Sequence, residues 1–199
     1  QVTPHDFLHK AYDEAVFTQL GVKDYVAPKN GSFFVLQDFY ENPKQFKNIF
    51  TPYTQIADIM INGIYWDNNA PAFFTKNEMK SSGFNIKTIA DVTCDIAPVS
   101  SIPSTLRAST IADPFFGYDP HTEAEAAPFQ EHVIDMMTID NLPNELPRDA
   151  SKAFGEQFIE HILPELLKED SGVVERATVA ANGELGQHFE YLSDYVEGV

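Results

Sequence analysis

Apolar residues fall in short blocks whose period changes along the chain. Val133-Ile134-Asp135-Met136-Met137 reads as a short buried strand. Asp149 to Leu167 reads as a helix, with aligned rows Phe154/Phe158/Ile162/Leu166 and Ile159/Leu163/Leu167. Between them lies the stretch from Thr138 to Arg148, a strand-to-helix crossing that places Asp140 and Asn141 at the carboxyl end of the strand. Ligands of open α/β sheets bind at that end. Pro147 suits the first helical position, and Pro164 should kink or divide the helix. As residues alone, Asp140 and Asn141 serve equally well as turn caps.

Upstream, Asp6 is placed to cap a helix with apolar positions Leu8, Ala11, Tyr12, Ala15, Val16 and Leu20, closed by Gly21. Val22 to Ala27 and Phe33 to Leu36 read as short strands. Asn42-Pro43 opens a helix with Phe46, Ile49 and Phe50 on one face. Asp58 to Ile64 and Thr88 to Val92 are further strands, with one or two helical turns expected over Thr75 to Lys80. Residues 96 to 131 carry five scattered prolines and read as irregular. Val173 to Ala180 is strand-like, Asn182-Gly183 a turn, and His188 to Val196 a closing helix. Strands near 58–64, 88–92 and 133–138, alternating with other connections, imply an α/β, doubly wound, Rossmann-like and mostly parallel sheet. The expected organisation is an incomplete dinucleotide-binding domain over 1–150 and a helical segment over 151–199. A sheet lacking its first strand exposes a pairing edge, so self-association into a homo-oligomer is expected.

Composition narrows the partners. The 199 residues include 16 Phe, 8 Tyr and 1 Trp, enough to fill a core, and 30 acids against 13 bases give a net charge of −17. That excess disfavours nucleic acid and anionic membrane, which need clustered Lys and Arg. No apolar run approaches the ~20 residues of a membrane helix. Cys94 is the single cysteine, which suits a reducing, cytoplasmic setting. The chain begins at Gln1 and is expected to be a fragment of a longer protein.

Candidate chemistry is sparse. No glycine-rich G-x-G-x-x-G turn occurs; either this is no dinucleotide site or the loop lies upstream and Asp6 is the acid that follows it. Asp91, Asp95 and Asp140 cluster at strand ends, where carboxylates can orient ribose hydroxyls or a substrate amine, or simply cap loops. Histidines 5, 9, 121, 132, 161 and 188 lack metal-site spacing, so no metal is expected. Ser100, Ser101 and Ser104 lack a nucleophile-elbow context. Cys94, set among acids, should have a raised thiol pKa. Tyr65-Trp66 can stack on an adenine ring or pack as core.

Three stretches go further. The segment from Ile61 to Pro71 (I-N-G-I-Y-W-D-N-N-A-P), Asp91-Val92-Thr93-Cys94-Asp95, and above all the segment from Ile139 to Ser151 (I-D-N-L-P-N-E-L-P-R-D-A-S) resemble lysine-ketoglutarate reductases and saccharopine dehydrogenases. These are relatives of alanine dehydrogenase and transhydrogenase. The resemblance implies interconversion of saccharopine with lysine and 2-oxoglutarate, with hydride passed to or from a nicotinamide cofactor. It implies cofactor contact at Asp6, Tyr65, Ala90, Asp91, Val92, Ile139, Asp140, Asn141 and Leu142. The family's proton-transferring lysine and histidine lie in an upstream, N-terminal catalytic domain absent from this sequence, so no catalytic residue is assigned here. An acid at Asp6 favours NAD, with NADP not excluded. Competing expectations are a non-catalytic acidic interaction module and an alanine-dehydrogenase-like fragment.

Overall fold

Three apolar strands of four or five residues organise the chain. In β3 (Ile59–Asn62), β4 (Thr88–Asp91) and β7 (Ile134–Thr138), alternate residues are buried: Met60 and Asn62, Ile89 and Asp91, then Ile134, Met136 and Thr138. This period of two is what a pleated strand packed more heavily on one face requires. The computed structural model describes residues 1–198. It divides the chain into two compact units, Gln1–Leu142 and Pro143–Val199.

The first unit also holds β1 (Val26–Pro28), β2 (Phe46–Asn48), β5 (Phe116–Asp119) and β6 (Ala124–Ala126), with short helices α1 (Pro4–His9), α2 (Val22–Tyr25), α3 (Leu36–Glu41), α4 (Thr51–Thr54) and α5 (Lys76–Met79). Its five-stranded sheet has the order β3-β4-β7-β5-β6. β3, β4 and β7 run parallel, whereas β5 and β6 form an antiparallel hairpin on the far side of β7. The sheet is therefore open, mixed and Rossmann-like, as expected. A core of aromatic and aliphatic side chains, with Phe46, Phe50, Tyr53, Phe73, Phe74, Ile89, Tyr118 and Met136 among its members, packs around it. β1 and β2 pair antiparallel as a separate ribbon.

The amino-terminal quarter departs from the pattern. The helix expected over residues 6–20 ends at His9. Thr3, not Asp6, caps it, accepting the Asp6 N–H at 3.1 Å, and the chain then folds back so that Val2 donates to the Phe17 carbonyl at 2.9 Å. Gly21 starts α2 instead of ending a helix, and its N–H is held by the Asp24 carboxylate at 2.8 Å. The strand expected over 22–27 is thus reduced to Val26–Pro28. No strand forms at 33–36, where Phe33 is exposed and α3 begins. The helix expected after Pro43 is a single 3₁₀ turn followed by β2. Phe46 and Phe50 share a face at a spacing of four, which helix and strand periods satisfy equally. The tertiary ribbon with β1 decides for the strand.

The segment expected to be irregular contains the β5–β6 hairpin. Gly117 is required there, because a Cβ on it would meet the Ala127 carbonyl oxygen at 2.5 Å. Asp135, which interrupts an apolar strand, accepts the Phe129 N–H at 2.6 Å and so holds that residue at φ +63°.

In the second unit, α6 (Pro147–Gln157) continues through a π-helical segment, Phe158–Ile162, into α7 (Leu163–Leu166). Pro164 does not divide the helix. The Leu163 N–H reaches back to the Phe158 carbonyl, an i→i−5 bond that lets the helix run on through the missing proline donor. The strand-like stretch after Gly172 is instead α8 (Gly172–Ala177), capped by Ser171. β8 (Ala180–Ala181) and β9 (Glu184–Leu185) close a hairpin over Asn182-Gly183, both residues at positive φ. A 3₁₀ segment, Gln187–Leu192, and α9 (Ser193–Glu197) follow.

Candidate functional site

The parallel strands deliver their last residues side by side. Asn62 pairs with Asp91 in register, and Asp91 with Thr138. The Val92 N–H donates to the Asn62 carbonyl at 2.7 Å, and the Ile139 N–H to the Asp91 carbonyl at 3.0 Å. Residues 90–95 and 138–142 therefore lie along one edge. The segment after β3 joins them: the Thr93 hydroxyl donates to the Ile64 carbonyl at 2.7 Å and accepts the Ile64 N–H at 3.0 Å. Tyr65, the next residue, is exposed.

Part of this edge is filled by the chain itself. The Asp91 carboxylate is fully buried and accepts from Asn62 Nδ2 at 2.8 Å, the Cys94 N–H at 3.1 Å and the Thr105 hydroxyl at 2.5 Å. Asn62 Nδ2 also donates to Ser101 at 3.0 Å. Ser101, Ser104 and Thr105 are buried over the strand ends, giving the 96–131 segment a definite role. Thr138 is tied down as well, donating its hydroxyl to the Arg107 carbonyl at 2.6 Å. The Arg107 guanidinium is clamped between Glu125 and Asp113 over the Phe116 ring.

The accessible part lies beyond Thr138. Asp140, Asn141 and Leu142 are all exposed, while Ala90, Val92 and Ile139 are half-buried. Close by, Cys94 sits at φ +54° in the turn that Asp91 closes. Burial first, then Asp91, Asp140 and Asp95, push its thiol up to about 11. Asp95, one of the three strand-end acids singled out in the sequence but not among the cofactor contacts the resemblance implies, has its carboxyl pushed up by burial and by Asp91, and one of its oxygens is buried without a partner. The signal for it was its position four residues after Asp91, at the same strand end. Asp6 belongs to a separate local group on α1, where a hydrogen bond from Lys10 at 3.0 Å holds its carboxyl below the usual range. Among the described residues, no group of three or more His, Cys, Asp or Glu side chains is arranged to hold a metal ion, and no helix is long and apolar enough to cross a membrane.

This arrangement suits a neutral or cationic polar group better than a phosphate. The exposed turn offers a carboxylate and an amide for hydroxyl and amide groups of a ligand, whereas the clustered acids disfavour anions. The buried unpaired Asp95 oxygen wants a donor.

Fold and strand-end edge together define an open α/β protein of Rossmann-like class. Over 173 residues, 78% of the chain, it is 28% identical to the alpha-aminoadipic semialdehyde synthase of Arabidopsis thaliana, and spans 15% of that protein. The mitochondrial alpha-aminoadipic semialdehyde synthase of Mus musculus is 28% identical over 74% of the chain, which spans 18% of that protein. The saccharopine dehydrogenase [NAD(+), L-lysine-forming] of Schizosaccharomyces pombe is 30% identical over 56% of the chain and 29% of its own length. No family model matches. The homologues of this chain are thus alpha-aminoadipic semialdehyde synthases and saccharopine dehydrogenases, the group its motifs resemble, and it spans less than a third of the length of each of these.

Proposed function

We propose that this chain supplies the cofactor side of a hydride-transfer cleft acting in saccharopine metabolism, with NAD as the cofactor and NADP as the competing form. One observation carries the reading. The most specific motif shared with the saccharopine enzymes, Ile139 to Ser151, begins as the exposed turn at the carboxyl end of β7, where an open α/β sheet binds its ligand. Asp140, Asn141 and Leu142 would face the cofactor from this turn, Val92 and Ile139 would floor it, and Tyr65 would flank it. The cofactor itself carries the hydride, and the protein's part is to orient it. Asp91 acts beneath the site, fixing the turn at Cys94 through buried hydrogen bonds. Asp95 presents an oxygen for a donor on the ligand.

Contacts to the amino-acid substrate and the groups that move protons would come from polypeptide outside these residues, so the isolated chain should be inactive. A reducing compartment such as the cytoplasm suits the lone thiol of Cys94. For the isolated chain, association through the free edge of β3 also follows, because Ile59 and Ile61 are exposed there. A strictly monomeric sedimentation profile at high concentration overturns that part.

The decisive experiment uses the full-length enzyme, with saccharopine and NAD as substrates. Replacing Asp140 with Ala should weaken NAD(H) binding about ten-fold, the factor that ~1.4 kcal/mol represents. Unchanged affinity and turnover would overturn the assignment.

A further inference from the structure

A cavity of about 420 Å³ opens between the segment after β3 and residues of α2 and α3. Six rings wall it: Tyr25, Phe39, Tyr40, Tyr65, Trp66 and Phe73. They brace one another, with Tyr25 and Phe73 centroids 4.9 Å apart and those of Phe39 and Tyr40 at 6.0 Å. Trp66 is held at the rim by its indole N–H, which donates to the Pro71 carbonyl at 3.4 Å. Among the lining residues there is no Lys, Arg or His, and the one charge is the Asp67 carboxylate. One Asp67 oxygen accepts the Asn69 N–H at 2.7 Å, which fixes the carboxylate at the cavity mouth.

These features select a ligand chemistry. An anion finds no counter-charge and faces both Asp67 and a chain of net charge −17. A primary ammonium brings three donors that ring faces cannot satisfy. A neutral apolar group fills the space but gains nothing from the carboxylate. A methylated ammonium is weakly hydrated, attracted by ring faces, and needs a single nearby negative charge. We propose that this cavity is a binding site for a methylated, quaternary or tertiary ammonium group. The proposal shares Tyr65 with the dehydrogenase reading, but the other five rings, Asp67 and the cavity they form do not belong to that reading, and no residue of the Asp140 turn takes part.

Trp66 is the single tryptophan, so fluorescence excited at the red edge of the tryptophan band, where the 8 tyrosines do not absorb, reports on this cavity. The probe is choline, titrated against its neutral isostere 3,3-dimethyl-1-butanol and against n-butylammonium. Choline should give a saturable change, with the isostere and the primary amine each at least about five-fold weaker. Asp67→Asn should weaken choline about five-fold while leaving the isostere unchanged, and Tyr65→Ala should weaken it comparably. Both side chains are exposed, so neither change threatens the fold. NAD⁺ should leave the choline titration unaltered. Equal binding of choline and the isostere, no response of choline affinity to Asp67→Asn, or displacement by NAD⁺ each overturns the proposal. The last would assign the rings to the cofactor and leave the dehydrogenase reading standing.

Discussion

Two neighbouring strands end in the same chemistry and put it to opposite uses. At the end of β4, Asp91 is fully buried and its carboxylate is saturated by Asn62, Cys94 and Thr105. At the end of β7, Asp140 lies in an exposed turn with no side-chain partner recorded among the hydrogen bonds of the described residues. The cause is the segment after β4, which doubles back over its own strand end with Ser101 and Thr105, while nothing in the first unit covers the turn after β7. An acid at the carboxyl end of a parallel strand is therefore only an opportunity. Whether it stays available depends on where the following loop goes.

The comparison breaks most visibly through stability. Asp91→Ala leaves the Thr105 hydroxyl and the Cys94 N–H without their acceptor inside the protein and the Asn62 amide with Ser101 alone. It should cost about 3 kcal/mol or more, read as a lowered urea midpoint at unchanged slope. Asp140→Ala should shift the same midpoint by less than about 0.5 kcal/mol, as exposed substitutions do. Equal losses at the two positions would end the distinction.

A smaller effect is read at Cys94, between the two acids. With its thiol at about 11, alkylation at neutral pH should run about 100-fold slower than for a free cysteine. The rate should climb about ten-fold per pH unit until that value is passed. Linkage sets a matching sign for stability. The folded thiol holds its proton above the unfolded value of ~8.5, so stability falls as pH rises from there to about 11. Cys94→Ala should make that slope shallower, leaving the share of Tyr25, Tyr53 and Tyr118, whose phenols burial also pushes up, and denaturant melts across the alkaline range can check it.

How much of this was legible in the sequence follows the range of the interactions. The three parallel strands and the Thr138–Leu142 turn were readable because their short apolar runs and the proline placement are local. The fate of residues 10–48 was not, since a Val2–Phe17 backbone bond and the β1–β2 ribbon override a pattern that helix and strand both fit. The burial of Asp91 was equally hidden, because it depends on Ser101 and Thr105, ten and fourteen residues away, in a segment without periodicity. The second unit shows the converse. Its helix was readable from the rows Phe154/Phe158/Ile162/Leu166 and Ile159/Leu163/Leu167, yet none of its described residues is buried. Periodicity reveals that a face is apolar and leaves open what it meets.

The finest test asks which acid Cys94 feels. Burial leads, and Asp91 acts ahead of Asp140 and Asp95 in raising the thiol. Neutralising Asp140 by Asn removes one repelling charge without touching the buried network, so the thiol pKa should drop slightly. Alkylation at pH 7.5 should then speed up about two-fold, an effect that high salt should shrink because Asp140 is exposed to solvent. Asp95→Asn should act in the same direction and resist salt more, since its carboxyl is half-buried. Rates that ignore both changes would mean that burial and Asp91 alone hold the thiol protonated. The exposed turn after β7 would then be electrically separate from the end of β4, and the two strand ends would not form one continuous edge for a ligand.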